Sequence, residues 1–150
     1  MKTHNPFRPS SSLRLRPWAP AVIWVFAVLV LAVVPAVQAA TPDEVLAGYT
    51  AKTGTAPVPE RGQKLFTTNF GRDLGLSCSS CHGAVPVKPG KDQVTEKPIA
   101  ALAPAANPAR FTDKVKVENW FRLNCKDIVG RECTAAEKAD VMAWLISLKP

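Results

Sequence analysis

The stretch Cys78-Ser79-Ser80-Cys81-His82 constrains this chain more than any other. It has the form C-x-x-C-H, the attachment spacing of a c-type haem. Two thiols separated by two residues can each form a thioether to a vinyl group on one edge of a porphyrin. A histidine directly after the second thiol then lies under the iron and can bind it as proximal ligand. Three blander readings compete. A redox C-x-x-C expects a strand before the motif and a βαβ pattern around it, and neither is visible. Zinc needs further ligands, and only Cys125 and Cys133 could supply more thiolate. The third is a structural disulfide within the motif.

The chain begins like an exported protein. Residues 1–18 carry Lys2, Arg8, Arg14 and Arg16 and no acid, and Ala21 to Val34 is an uninterrupted apolar run. Pro35 breaks the run, and Val37-Gln38-Ala39 offers small residues where a signal peptidase needs them. A transmembrane helix needs roughly 20 apolar residues, more than this run holds. The expectation is therefore a signal peptide over 1–39, cleaved after Ala39, and one domain over 40–150 in the periplasm. A retained anchor is the alternative.

Charge has to be counted after cleavage. The full chain carries +7, but four of its 19 basic residues lie in the signal. The remaining 15 face 12 acids, a net of +3. That surplus gives no footing for nucleic-acid binding. Lys114, Lys116, Arg122 and Lys126 cluster; a solvated helix face explains them, and a docking patch for an acidic partner is the sharper alternative. Haem attachment would use two of the four cysteines, leaving Cys125 and Cys133. In an oxidising compartment these two are expected to pair. Closing so short a loop is worth about 2.5 kcal/mol on chain entropy. Two free thiols are the alternative.

The domain reads as all-α, with short helices and long loops. Thr41-Pro42-Asp43-Glu44 combines a capping box with proline at the first helical position, predicting a helix over 41–52 with Gly54 as its stop. A second helix is predicted over 59–68, with Gly62 and Phe66 on one face. Glycine inside a helix costs about 1 kcal/mol, so close approach of another helix is its natural reason. The expected partner is a last helix opened by the box Thr134-Ala135-Ala136-Glu137, running to Leu148 with Val141, Trp144 and Leu145 apolar. Pro86, Pro89, Pro98, Pro104 and Pro108 make the intervening stretch a loop. A loop of that length usually wraps a ligand. A further helix is predicted over 112–124, and no stretch shows convincing strand alternation.

The C-x-x-C-H motif, preceded by a helix with Gly62 and Phe66 and followed by one ending Ala143-Trp144-Leu145, resembles the small cytochrome c fold over roughly residues 58–150. That resemblance implies short helices around one covalent haem, the first and last crossing near the glycine.

The sixth iron ligand then decides the function. The second histidine, His4, lies in the signal, so the mature domain holds no other histidine than His82. Met142 sits among core positions of the last helix, where a methionine commonly fills space. Lys88, Lys91 and Lys97 lie in the proline-rich loop and would have to lose a proton. Asn124 shares a helix face with Val117, Trp120 and Phe121, by the spacing i, i+3, i+4, i+7. An asparagine ending a helix can equally take the left-handed conformation as a simple stop, so spacing alone leaves Asn124 open.

The segment Ala103-Pro104-Ala105-Ala106-Asn107-Pro108-Ala109-Arg110-Phe111-Thr112-Asp113 is followed by Val117 to Cys125 and by Gly130-Arg131-Glu132-Cys133-Thr134. Together they resemble the high-spin cytochromes c of the sphaeroides-haem-protein (SHP) type. The resemblance implies His82 as proximal ligand, Asn124 as sixth ligand and a Cys125–Cys133 disulfide. It also implies a dihaem c-type cytochrome as electron donor. An amide is a weak, neutral donor, so reduction is expected to release Asn124 and admit dioxygen, nitric oxide or carbon monoxide. The freed amide could then hydrogen-bond a bound diatomic. Trp120 and Phe121 are pocket candidates, with plain core packing as the alternative. A plain electron carrier, six-coordinate in both redox states, is the competing function. Acid–base peroxidase chemistry lacks its second catalytic group.

Overall fold

The structure is a computed structural model and describes residues 39–71 and 75–150. Apart from Ala39, the export segment lies outside the described residues. Among the described residues five α-helices follow one another: α1 Pro42–Thr53, α2 Pro59–Thr67, α3 Cys78–His82, α4 Lys114–Asn124 and α5 Ala135–Ser147. A two-residue antiparallel ladder, β1 Gly90–Lys91 with β2 Pro98–Ile99, lies in the long loop.

Local chemistry sets the helix ends. Thr41 and Glu44 cap α1 reciprocally, at 2.7 and 3.2 Å. Thr134 and Glu137 do the same for α5, at 2.8 and 3.2 Å. Asp113 accepts from the Lys116 amide at 2.9 Å and starts α4 two residues later than the predicted 112. Each such cap is worth about 1 kcal/mol. The expected left-handed stop of α1 is present at Gly54, with φ 66°.

The core forms where α2 and α1 pack on α5. Phe66, Val141, Trp144 and Leu145 make one buried cluster. Val45, Tyr49, Val117, Ala139 and Met142 make the other. Phe111 and Phe121 pack against both clusters and join them. Gly62 is the point of closest approach, since a Cβ there would collide with the Asp140 carbonyl oxygen. Asp140, buried one turn before Trp144, accepts from the Val58 amide at 2.6 Å and from Arg61 Nε at 2.8 Å. The carboxylate thus supplies the missing side-chain cap at the start of α2 and holds both helices in register.

The ladder in the loop is absent from the expectation. Its strands are too short for alternation to register. A turn closed by side chains makes it: the Asp92 carboxylate accepts from the Val94 and Thr95 amides at 2.9 and 2.7 Å. Gly90 then lies against the Cys81 carbonyl, where a Cβ would not fit.

Gly62→Ala is expected to lower the unfolding free energy by about 1–3 kcal/mol, because α5 backbone cannot yield as a side chain would. Denaturant titration of the haem-loaded protein measures it. A loss under about 0.5 kcal/mol would show that the crossing is looser than described.

Candidate haem-binding site

Cys78, Cys81 and His82 share the single five-residue helix α3. Ser77 and Ser80 pin its start: the Ser77 amide donates to Ser80 Oγ at 3.0 Å. The Gly83 amide donates to the Ser79 carbonyl at 2.8 Å and closes its end. The thiols are partly buried and unpaired, one helical turn apart. Burial pushes the Cys78 thiol up to about 11. It is therefore not a reactive thiolate of the redox kind. Among the described residues no group of three or more His, Cys, Asp or Glu converges as a metal site. That removes the zinc reading, since Cys125 and Cys133 are joined to each other.

His82 stacks at a tilt on Phe66, ring centroids 6.2 Å apart, and Phe66 packs on Trp144 at 5.0 Å. The imidazole is thereby tied through one aromatic ring to the α2–α5 crossing. Burial lowers its pKa to about 4, with the Arg110 charge adding to the effect. His82 is neutral near pH 7 and keeps a lone pair for a metal.

Asn124 ends α4 in right-handed helical geometry, φ −64° and ψ −38°. The reading of it as a left-handed stop is thereby overturned. The chain runs straight on into a π-helical turn, Cys125–Val129, and the left-handed residue is Gly130 at φ 85°. Glycine takes that conformation without the Cβ penalty that asparagine would bear. Asn124 is exposed, and its Nδ2 donates to the Trp120 carbonyl at 2.8 Å. Cys125 and Cys133 are bonded, with Cα atoms 5.7 Å apart, closing the turn that follows Asn124.

The two aromatic candidates diverge. Phe121 is edge-on to Tyr49 at 5.9 Å and packs on the core. Trp120 is 55% exposed, and Leu123 45%. Large apolar side chains left at the surface beside Asn124 mark a binding face. Cys78 and Phe121 pack against the same buried cluster, so α3 and α4 meet around it. Met142 is fully buried at 0% exposure among Val45, Tyr49 and Val117, as a core filler. Lys88, Lys91 and Lys97 are exposed, and Lys91 pairs with Glu96 at 3.3 Å.

Several contributors carry no sequence signal. Lys138 is buried and donates to Glu118 at 2.5 Å, and Tyr49 donates to the other Glu118 oxygen at 2.6 Å. These bonds tie α4 to α1 and α5, and hold the Glu118 carboxyl below its usual range. Arg110 donates from Nε and Nη2 to the Ala101 and Ala100 carbonyls, at 2.8 and 2.6 Å. Lys114, Lys116, Arg122 and Lys126 are all exposed. The residues present fit a covalently held porphyrin: two free thiols on one helical turn, a neutral imidazole beside them, and an exposed apolar face on α4.

A family described as "Domain of unknown function (DUF1924)" matches residues 52–145. The "Cytochrome c-type protein SHP" of Cereibacter sphaeroides is 46% identical over 107 residues, 70% of this chain and 82% of that protein. The chain belongs to the SHP family of c-type cytochromes. "Cytochrome c''" of Methylophilus methylotrophus is 42% identical over 94 residues, 61% of this chain and 65% of that protein. Among solved structures, oxidised SHP, described as an oxygen binding cytochrome c, has a TM-score of 0.67 at 43% identity, covering 73% of this chain and 99% of that one. Oxidised cytochrome c'' from Methylophilus methylotrophus has a TM-score of 0.66 at 36% identity, covering 73% and 95%. The helical fold and the covalent haem c cofactor are those of this SHP-type family. No helix among the described residues is long and apolar enough to cross a membrane.

The segment after Asn124 generates a pH prediction. Arg131 bonds Glu137 at 2.6 and 2.8 Å and, with Thr134, lowers its carboxyl to about 2. A depressed folded pKa means the contribution is whole above the ordinary 4.5 and fades as pH falls towards 2. The stability gap between wild type and Arg131→Gln is therefore expected to shrink between about pH 5 and pH 2. A gap that does not change with pH would count against this pair.

Proposed function

We propose that this chain is an exported SHP-type cytochrome with a displaceable sixth ligand. Cys78 and Cys81 carry the haem thioethers, His82 is the proximal ligand and Asn124 the distal one. The observation that carries the reading is the placement of Asn124. It stands on the last turn of α4 beside an exposed apolar face, while the one methionine of the domain is sealed in the core. The haem supplies a redox-active iron able to bind a diatomic ligand.

The chain's own residues divide the work. His82, neutral and backed by Phe66, is a strong donor on a side built into the core. Asn124 offers only an amide oxygen, which holds ferric iron loosely and ferrous iron less well. With haem c attached, this weak donor would be the one to yield on reduction, and the group would then supply a site for dioxygen or nitric oxide. The Asn124 Nδ2, an N–H donor, is then free to leave the Trp120 carbonyl and donate to the bound ligand. Trp120 and Leu123 keep water from the same face. Oxidised SHP, an oxygen binding cytochrome c 43% identical to this chain, supports this reading. Electrons come from a partner cytochrome, for which a dihaem c-type donor is the choice the resemblance implies. Cleavage after Ala39 releases the domain to the periplasm. A plain carrier would need a permanent sixth ligand, and burial of Met142 removes its best candidate.

Visible spectra of oxidised and reduced protein, with and without carbon monoxide, test the open site. The reduced form is expected to bind carbon monoxide with a clear Soret shift. A low-spin spectrum in both states, unmoved by the gas, would overturn the reading. Asn124→Ala is expected to change the ferric spectrum while leaving haem content intact. An unchanged ferric spectrum would remove Asn124 as ligand.

A further inference from the structure

Arg110 is a cation in need of a counter-ion. It is partly buried in the loop between β2 and α4. Among the described residues its side-chain donors meet only the Ala101 and Ala100 carbonyls, at 2.8 and 2.6 Å. A guanidinium carries five N–H donors, so further donors remain. Among the described residues no carboxylate lies within ion-pair distance of it. Carbonyl oxygens fix the direction of the group but do not neutralise it, and an unpaired charge withdrawn from water is costly.

The position is held at some expense. The next residue, Phe111, sits at φ 60°, a region that bulky L residues rarely enter. Its ring packs against both core clusters. Asn107 reinforces the turn, its Nδ2 donating to the same Ala101 carbonyl at 3.2 Å, while the Arg110 amide donates to the Asn107 carbonyl at 3.0 Å. Strain of about 1–3 kcal/mol persists where surrounding structure enforces a functional placement. Here it sets Arg110 on the Ala100 and Ala101 carbonyls while Phe111 enters the core. The carbonyls that hold it directly follow β2, whose partner Gly90 in β1 lies against the Cys81 carbonyl and the His82 Cα, so the guanidinium is anchored beside the haem-attachment helix.

We propose that Arg110 is the counter-ion of a haem propionate, a cofactor-binding contact that also tunes the iron. Haem c brings two carboxylates, and a planar guanidinium suits a carboxylate better than any other cation. The proposal rests on the haem attached at Cys78–His82 but not on Asn124, so either can fail alone. A positive charge near the iron disfavours the ferric state, so Arg110 raises the midpoint potential.

The test uses haem-loaded Arg110→Gln and Arg110→Lys, with midpoint potentials from spectroelectrochemical titration and propionate bands from resonance Raman spectra. Arg110→Gln is expected to lower the midpoint and shift a propionate band, with far-ultraviolet circular dichroism unchanged. Arg110→Lys is expected to restore most of the midpoint. A midpoint and band identical to wild type in Arg110→Gln would overturn the proposal. Should that variant not accumulate, the wild-type band decides: the position of a freely solvated carboxylate would overturn it, and that of a charge-paired one would uphold it. A wild-type midpoint that follows phosphate concentration, with the band at its solvated position, would assign Arg110 to a solution anion instead.

Discussion

The crossing of α2 over α5 at Gly62 is the contact on which the rest of the molecule depends. Backbone meets backbone there because no Cβ intervenes. Asp140 then reaches from α5 to cap α2, and Arg61 covers the carboxylate with two donors, at 2.8 and 3.1 Å. The charge is buried but fully bonded, the condition under which a buried carboxylate is tolerated. One turn further along α2, Phe66 meets Trp144 on one side and His82 on the other. The distance between two helix axes thus becomes the position of an imidazole. Widening the crossing would displace the ring that backs His82 before it touched His82 itself.

The distal side is organised on a different principle. α4 is fastened near its middle, where Glu118 accepts hydrogen bonds from Tyr49 and Lys138. It is fastened again past its end by the Cys125–Cys133 bond. Asn124 lies between the two fixed points, with a side chain that has one helix carbonyl as its partner. The π turn after it inserts an extra residue per turn, which lets Cys125 face the core while Asn124 stays outward. Such turns recur at functional sites because they re-aim side chains without breaking a helix. The backbone around Asn124 is thus held on both sides.

What the sequence made legible follows from how local the signals are. Caps at Thr41 and Thr134, the stop at Gly54 and the pairing of Gly62 with a later helix are written in neighbouring residues. Helix boundaries fell within about two residues of their predicted ends for that reason. The C-x-x-C-H motif is equally local. The β1–β2 ladder was invisible because two-residue strands have no period. The π turn was invisible because a single turn of five residues carries no period of its own. Lys138 and Glu118 are 20 residues apart and look like ordinary surface charges in sequence. Asn124 could be narrowed by its spacing and by the shortage of other ligands. The left-handed alternative fell only when its backbone angles were known.

The contrast between the two sides is itself the argument for ligand exchange. A permanent six-coordinate carrier gains from two strong donors, each held by packing, because any reorganisation slows electron transfer. Here His82 is wedged against Phe66 in a cluster whose members are 2–7% exposed. Asn124 sits at the surface, next to a tryptophan more than half exposed. On the proposed reading, a packed proximal side and an exposed amide on the other would confine a redox-linked change to Asn124. The energy needed to move it is that of one neutral hydrogen bond and one weak donor bond, with the net share of such a hydrogen bond about 1 kcal/mol. A change so small can be driven by one electron without disturbing α4, α5 or the crossing beneath them.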